Sequence, residues 1–263
     1  MVSQPDRKRG RGGALVPSPV KAAALELGLP VSDRVDDVLG LGAELGVVVA
    51  FGRLIRPHVL AEVPMVNVHF SLLPRWRGAA PVERAILAGD TSTGVCVMGL
   101  EEGLDTGPVY ACQEVAIGEE ASADEVRAEL AMIGTDLLVG LLRQGVPRVA
   151  DAAPQSGEPT YAKKVEPDEH RLDWDRPATY LFSVVRLGQA WTTFRGKRVK
   201  VLRAVPVPGI GGLAAGEIDA RDLAVGTGEG ALRMLTVQPQ GKSPQAFADW
   251  LNGARLTPGE RFA

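Results

Sequence analysis

Short apolar segments alternate with helix-like segments from Val20 to Leu142, and this alternation limits the chain to a layered α/β fold. Strands are predicted at Val47–Phe51, Val66–His69, Val95–Leu100 and Val109–Ile117. Val47–Phe51 reads as a strand covered on both faces. Helices are predicted at Val20–Leu27 (with Ser18 as N-cap), Asp33–Leu45, Leu54–Glu62, Ala79–Ala88 and Ala123–Leu142 (with Ser122 as N-cap). Residues 1–18, basic and rich in glycine and proline, are predicted to be a loop. Strands that alternate with helices favour a parallel sheet.

The composition changes after residue 150. Asp151–Pro159 is rich in proline, glycine and small residues, which is typical of a linker. Beyond it the pattern predicts one helix and then short strands separated by turns, at Ala178–Leu187, Thr192–Phe194, Val199–Val205 and Leu232–Val237. We therefore expect an α/β domain over residues 1–150, a linker over 151–168, and a small, mostly-β, barrel-like domain over 169–263.

The bulk composition excludes several classes of protein. The 263 residues, 45% of them hydrophobic, are enough for such domains without disulfides. Cys96 and Cys112 lie in apolar strand-like runs and are predicted to be small buried side chains in a reducing compartment. No stretch has the length of a membrane span and no leader opens the chain, so we expect a cytoplasmic protein. Three histidines and two cysteines show no ligand spacing, and we expect no metal.

The sharpest local feature is the triplet Asn67-Val68-His69. Residues two apart on a strand point to the same face, and ligands gather where strands of α/β sheets end. An amide beside an imidazole suits the stabilisation of an oxyanion, and a carboxylate would orient the imidazole. Asp105, in a turn flanked by Gly103 and Gly107, is the candidate carboxylate. From these residues alone, a structural role for both motifs stays open.

Two basic runs are candidate nucleic-acid contacts. The first comprises Arg7, Lys8, Arg9 and Arg11, and the second comprises Arg195, Lys197, Arg198, Lys200 and Arg203. Arg198 and Lys200 alternate with apolar residues, as on a strand with one buried face. A solvated face and a nucleic-acid surface are both compatible with each run. Trp76 has two similar alternatives, stacking on a substrate or filling the core.

Residues 66–109, which include Ser-Leu-Leu-Pro-Arg-Trp-Arg-Gly-Ala-Ala-Pro and Gly-Leu-Asp-Thr-Gly-Pro-Val, resemble the signature of the methionyl-tRNA formyltransferases. Gln4-Pro5-Asp6-Arg7 and Gly10-Arg11-Gly12 resemble that family's basic loop. The runs Ala190–Lys197 and Val237–Lys242 resemble its C-terminal domain. The resemblance covers nearly the whole chain. It implies a Rossmann-like parallel-sheet formyltransferase domain followed by a mostly-β, OB-like barrel.

The resemblance also implies an activity and a site. The reaction would transfer the formyl group of 10-formyltetrahydrofolate, a co-substrate, to the α-amino group of methionyl initiator tRNA during translation initiation. Asn67, His69 and Asp105 would be catalytic, and Ser71, Leu72, Leu73 and Pro74 would contact the folate. Arg7, Arg9 and Arg11 would contact the tRNA acceptor stem, Arg198 and Lys200 would form a second tRNA surface, and we expect a monomer.

Two alternatives to this function remain. One is a formyltransferase with another amine acceptor, a sugar nucleotide or glycinamide ribonucleotide, and the other is a non-catalytic tRNA-binding remnant. The family begins with a strand, a glycine turn and a helix before the segment that resembles Gln4-Pro5-Asp6-Arg7, whereas Met1 lies only three residues before it here. Either the true start lies upstream, which we favour, or the chain is shortened and its folding impaired.

Overall fold

The computed structural model describes residues 1–9, 13–148, 151–207, 212–257 and 259–263. The chain divides into two units, each drawn from more than one segment. The first comprises residues 1–79, 94–113 and 132–160, and the second comprises residues 80–93, 114–131 and 161–263. The domain limits expected from the sequence stay a prediction.

Six helices and fourteen strands are found in the described residues. The helices are α1 (Pro19–Glu26), α2 (Pro57–Glu62), α3 (Pro81–Ala88), α4 (Ala123–Arg143), α5 (Ala178–Arg186) and α6 (Phe247–Ala254). The strands are β1 (Arg7–Arg9), β2 (Ala14–Val16), β3 (Gly46–Val49), β4 (Met65–His69), β5 (Arg77–Gly78), β6 (Ser92–Gly99), β7 (Val109–Ala116), β8 (Tyr161–Ala162), β9 (Trp191–Phe194), β10 (Lys197–Val207), β11 (Ile218–Asp219), β12 (Ala224–Gly226), β13 (Ala231–Pro239) and β14 (Gln245–Ala246).

Two of the predicted helices begin after the N-cap residues that the sequence predicts, Ser18 and Ser122. The Ser18 hydroxyl accepts a hydrogen bond from the Lys21 N–H, and Pro19 follows as the first residue of α1. At α4, the Ser122 N–H donates to the Glu125 carboxylate while the Ser122 hydroxyl accepts from the Glu125 N–H. This reciprocal pair is a capping box.

Two local predictions near the N-terminus are wrong. Residues 1–18 contain a short antiparallel pair of strands, β1 and β2, in which Arg7 is opposite Val16, rather than only a loop. The helix predicted over Asp33–Leu45 is reduced to one 3₁₀ turn at Val35–Val38. Gly40 and Gly42 follow that turn, and the φ of +61° at Gly42 is incompatible with a continuing right-handed helix.

The sheet that carries the predicted motif runs in the order β3-β4-β6-β7. β3 and β4 are parallel, with Val49 opposite Val68, whereas β4 and β6 are antiparallel, with His69 opposite Cys96. The α/β class is confirmed, but the sheet is mixed and not wholly parallel. β3 has only β4 as a neighbour among the described strands. The expectation that β3 is covered on both faces is wrong, because Val47 and Val49 are 45% and 52% exposed.

Cys96 on β6 and Cys112 on β7 form a disulfide. The prediction of two separate thiols is therefore wrong, and only Cys96 is buried, while Cys112 is exposed. The sequence separation of 16 residues does not reveal the pairing. The two cysteines meet because β6 and β7 are neighbours in the sheet.

The second unit contains an antiparallel sheet in the order β11-β12-β13-β10-β9, with β14 paired to β13. Its core includes Leu181 from α5 and Phe247 from α6. Aromatic rings from distant segments also meet there, and Trp174 stacks on Phe262. The mostly-β character of the C-terminal region is confirmed. In the part of the chain that the structure describes, no helix is long and apolar enough to cross a membrane.

Candidate active site

Strand β4 presents Asn67 and His69 from the same face, because successive strand residues alternate between faces. Val66 and Val68 are buried, which fixes the register of the strand. Asn67 is half-buried and His69 is only 5% exposed. The strand ends at His69, so both side chains lie near its carboxyl end, as the sequence predicts.

The His69 ring is held by a backbone carbonyl. Its Nε2 lies 2.9 Å from the carbonyl oxygen of Trp76. A carbonyl oxygen only accepts hydrogen bonds, so Nε2 carries the hydrogen and donates it. In neutral His69 the lone pair is then on Nδ1. That atom faces the Oδ2 atom of Asp105 at 3.7 Å.

Asp105 reaches His69 from the loop between β6 and β7. Its Oδ2 atom accepts a hydrogen bond of 2.7 Å from the Gly78 N–H. The side chain is only 13% exposed, and its φ of +51° lies in the left-handed region that non-glycine residues seldom adopt. This backbone conformation costs about 1–3 kcal/mol unless the surroundings hold it. The structure thus brings together the imidazole and the carboxylate that the sequence proposed as a pair.

The Asn67 amide remains available for a ligand. Among the residues that the structure describes, none forms a hydrogen bond with this side chain. A half-buried amide normally has partners, and its N–H groups are suitable donors to a developing oxyanion. The face of β4 therefore offers a donor that has no partner among the described residues, beside an imidazole that has a carboxylate within 4 Å.

The segment predicted to contact folate forms a tight turn directly after β4. Ser71 is fully buried, and its hydroxyl donates to the Arg75 carbonyl at 2.6 Å. The Leu73–Pro74 peptide bond is cis. Leu72 lies against Gly94, where any added Cβ would overlap its side chain. The Ser71 hydroxyl is thus used within the turn, and folate contacts by Ser71, Leu72, Leu73 and Pro74 stay a prediction.

Trp76 contributes its backbone to the site. Its carbonyl holds His69, and its N–H donates to the Thr160 hydroxyl at 2.8 Å. The ring is half-buried, with the Arg75 guanidinium 4.6 Å from its centroid. Neither substrate stacking nor complete burial in the core follows from this position.

Two residues that support the site, Gln155 and Thr160, were not singled out from the sequence. The Gln155 side chain bonds to the backbone of the Asp105 loop and to Arg77, and Thr160 bonds to Trp76 and Arg77. Gln155 lies in the segment predicted to be a linker. The composition of that segment carries no signal that would identify a contact 50 residues away along the chain.

The predicted tRNA contacts lie in both units. Arg7 is exposed on β1, Arg9 is on the same strand, and Arg11 lies outside the described residues. Arg198 and Lys200 are exposed on β10, and the Arg198 guanidinium lies 4.1 Å from the centroid of the Trp191 ring. Contact of these residues with tRNA stays a prediction. Within the described residues, no cluster of three or more His, Cys, Asp and Glu side chains could hold a metal ion.

Comparisons with known proteins assign the chain to a family. Residues 1–142 match the formyl transferase family, and residues 164–255 match the formyl transferase C-terminal domain. A methionyl-tRNA formyltransferase from Symbiobacterium thermophilum is 41% identical over 283 residues, covering 100% of this chain and 87% of the relative. Another from Roseobacter denitrificans is 43% identical over 279 residues, covering 100% of this chain and 90% of the relative.

Solved structures show a similar fold at low sequence identity. The methionyl-tRNA formyltransferase from Clostridium thermocellum has a TM-score of 0.57 at 18% identity, covering 72% of this chain and 88% of its own. HypX from Aquifex aeolicus, in complex with tetrahydrofolic acid, has a TM-score of 0.63 at 20% identity, covering 87% of this chain and 43% of its own. These likenesses bear on the fold alone. The two domain matches and the relatives above 40% identity establish that the chain belongs to the formyl transferase family.

Proposed function

We propose that this enzyme transfers the formyl group of 10-formyltetrahydrofolate to the α-amino group of methionyl initiator tRNA. The observation that carries the proposal is the Asn67 amide, which has no hydrogen-bond partner in the described ranges of the chain. It lies on the same face of β4 as His69, whose Nδ1 faces Asp105. An amide donor can stabilise the oxyanion of an acyl transfer, and an imidazole with a carboxylate can move the proton of the amine.

The chemistry of the site fits a formyl donor. 10-Formyltetrahydrofolate supplies an activated formyl group on nitrogen. The Asn67 amide would meet the formyl oxygen, His69 would accept the amine proton, and the turn Ser71–Pro74 would contact the folate. The unpaired Asn67 amide supports this assignment, because a carbonyl oxygen is a suitable acceptor for its N–H.

Each residue has a distinct task in the transfer. The acceptor amine attacks the formyl carbon in its deprotonated form, and negative charge develops on the formyl oxygen. The Asn67 amide stabilises that charge, a contribution typically worth about 10²–10³ in rate. A proton taken up at Nδ1 of His69 forms an imidazolium between the Trp76 carbonyl and Asp105. Asp105 stabilises this cation and assists removal of the amine proton. The tetrahedral intermediate then collapses as the bond between the formyl carbon and N10 breaks, and the proton passes from His69 to N10 of the departing tetrahydrofolate.

The acceptor is argued from the relatives. Those that share 41% and 43% identity over most of their length are named methionyl-tRNA formyltransferases, which supports tRNA over a sugar nucleotide or glycinamide ribonucleotide. Arg7, Arg9 and Arg11 in the N-terminal segment, and Arg198 and Lys200 on β10, would contact tRNA phosphates. We further propose that the enzyme acts in the cytoplasm and is a monomer, and sedimentation at assay concentrations would test the oligomeric state.

An assay with four acceptors tests the proposed function. It measures formyl transfer from 10-formyltetrahydrofolate to methionyl initiator tRNA, methionyl elongator tRNA, an amino-sugar nucleotide and glycinamide ribonucleotide. We expect turnover with methionyl initiator tRNA in preference to the other three. Preferred turnover with a small acceptor would overturn the tRNA assignment. Binding of tRNA without turnover on any acceptor would indicate a non-catalytic remnant.

A further inference from the structure

Gln155 connects two segments of the candidate active site through its side-chain amide. Its Nε2 atom donates to the carbonyl oxygens of Asp105 and Gly107, each at 2.8 Å. Its Oε1 atom accepts from Nε and Nη2 of Arg77, at 3.0 and 2.7 Å. Both N–H groups and both lone pairs of the amide are therefore used. The partners also fix the orientation of the amide, since a carbonyl only accepts and a guanidinium only donates.

The loop that receives these bonds needs external support. Asp105 holds a left-handed backbone conformation, with φ of +51°. A Cβ at Gly107 would overlap the Gly99 carbonyl oxygen, so the loop returns very close to the end of β6. The two bonds from Gln155 hold the loop on either side of Thr106. They therefore restrain the backbone from which the Asp105 carboxylate projects.

Residues 155–160 restrain both members of the imidazole–carboxylate pair, His69 and Asp105. Arg77 anchors Gln155, while the adjacent Gly78 N–H binds the Asp105 carboxylate at 2.7 Å. Thr160 accepts from the N–H of Trp76 through its hydroxyl, and from the N–H of Arg77 through its carbonyl, each at 2.8 Å. The Trp76 carbonyl in turn holds His69. Residues 155–160 thus brace the backbone behind His69 and the backbone behind Asp105.

We propose that Gln155 is a positioning residue that sets the separation between the Asp105 carboxylate and His69 Nδ1. The proposal rests on the proposed function, because it assigns Gln155 a task only through Asp105. The Coulomb attraction between a carboxylate and an imidazolium weakens as their separation grows, and the restrained loop holds Asp105 at 3.7 Å from His69 Nδ1. Loss of the restraint is expected to lower kcat while leaving the binding of either substrate nearly unchanged.

Three substitutions separate the parts of this network. Gln155→Ala removes all four bonds, whereas Gln155→Glu keeps the acceptors for Arg77 but replaces the donors to Asp105 and Gly107 with oxygen. Arg77→Met leaves both donors of Gln155 intact. Gln144→Ala, the same chemical change at an exposed position after α4, is the matched control.

We expect kcat to fall about tenfold or more in Gln155→Ala and Gln155→Glu, less in Arg77→Met and not in Gln144→Ala. KM for both substrates should stay within about twofold, and the melting temperature should report whether each variant is folded. In an Asp105→Asn background, Gln155→Ala should cause little further loss, because the two residues act as one unit. Three results would each overturn the proposal. They are a wild-type kcat in Gln155→Glu, a Gln155 variant in which only KM changes, and effects of Gln155→Ala and Asp105→Asn on kcat that are fully additive.

Failure of the positioning role can be distinguished from failure of the proposed function. Full turnover in Asp105→Asn would remove Asp105 from catalysis, whereas inactivity there with normal Gln155 variants would reject only the positioning role. NMR of the His69 imidazole provides a readout that does not depend on turnover. Its resonances, assigned with His69→Asn, should move in Gln155→Glu and not in Gln144→Ala, and unmoved resonances would overturn the proposal.

Discussion

At the scale of single residues, a backbone carbonyl decides which nitrogen of neutral His69 carries the hydrogen. The hydrogen bond to Trp76 places the hydrogen on Nε2 and leaves the lone pair of the neutral ring on Nδ1, facing Asp105. The gap of 3.7 Å is longer than a direct hydrogen bond, so the carboxylate acts on the ring through charge. The neutral ring can therefore gain a proton only at Nδ1, on the side that faces Asp105.

Asn67→Ala tests the unpaired amide directly. We expect turnover to fall by about 10² or more, because an oxyanion donor contributes only as charge develops in the transition state. The affinity for methionyl tRNA, measured by fluorescence titration, should change little. Asn252→Ala, which removes an exposed amide on α6, is the control. Near-normal turnover in Asn67→Ala would exclude its proposed role.

At the scale of elements, two glycines of α4 have opposite roles. A Cβ at Gly134 would overlap side-chain atoms of Val68 and Val95, so the helix packs closely behind the strand that carries Asn67 and His69. A Cβ at Gly140 would meet nothing within 4 Å. The first glycine permits a close approach to the sheet, whereas the second only weakens the helix.

Opposite changes in stability are therefore expected from the same substitution. Gly134→Ala should lower the free energy of unfolding by about 1–3 kcal/mol, because the added methyl group forces the helix away from the sheet. Gly140→Ala should raise it by about 0.5–1 kcal/mol through helix propensity. Denaturant unfolding of the two variants measures both effects, and a shared sign would contradict the described packing.

A second prediction at this scale concerns strand β10. Arg198 and Lys200 alternate there with the buried Val199 and Val201, so the two cations lie on the exposed face. Lys200→Ala and Arg198→Ala should weaken tRNA binding. Each should reduce the slope of log affinity against log salt by roughly 0.7–0.9, the loss of one phosphate contact. Arg221→Ala, at an exposed position between β11 and β12, is the control. An unchanged slope in both variants would remove β10 from the interface.

At the scale of the whole molecule, the buried His170 couples the stability of the second unit to pH. Burial lowers the pKa of His170 below its ordinary value of 6.5, and nearby Glu169 and Glu83 only partly oppose this effect. In the described part of the chain its Nδ1 atom is buried without a hydrogen-bond partner. The folded protein thus disfavours the charged imidazole more than the unfolded chain does.

The sign of the resulting pH dependence follows from proton binding. Below pH 6.5 the unfolded chain binds a proton at His170 that the folded protein resists, so the free energy of unfolding falls as the pH drops from 6.5 towards the folded pKa. His170→Gln should make urea unfolding less dependent on pH between about 7.5 and 5.5 than in the unsubstituted protein. His58→Gln, at an exposed position in the other unit, controls for the loss of an imidazole. An identical pH dependence in His170→Gln would contradict this account.

Much of the element pattern could be predicted from local sequence, and the family resemblance added Asn67, His69 and Asp105 as candidate site residues, whose catalytic roles stay a prediction. Some features depend only on neighbours within a few residues, and these can be recognised in the sequence. They include the helix caps at Ser18 and Ser122 and the alternation around Asn67 and His69. The wrong predictions, a helix over Asp33–Leu45 and a fully covered β3, arose because local spacing alone was considered. Gly40 and Gly42 ended a helix that hydrophobic spacing favoured, and the exposure of Val47 and Val49 depends on what covers β3 rather than on their apolar character.

Contacts between distant segments were decided only in the folded chain. Gly78 binds the Asp105 carboxylate across 27 residues, Gln155 holds the Asp105 loop across 50, and Thr160 bonds to Trp76 across 84. Each residue type has several possible partners, and nothing in the local spacing selects among them. The choice is made when strands and loops pack, because buried donors and acceptors must then pair with whatever lies within about 3 Å. The residue types of the site are thus encoded locally, whereas its geometry arises from packing.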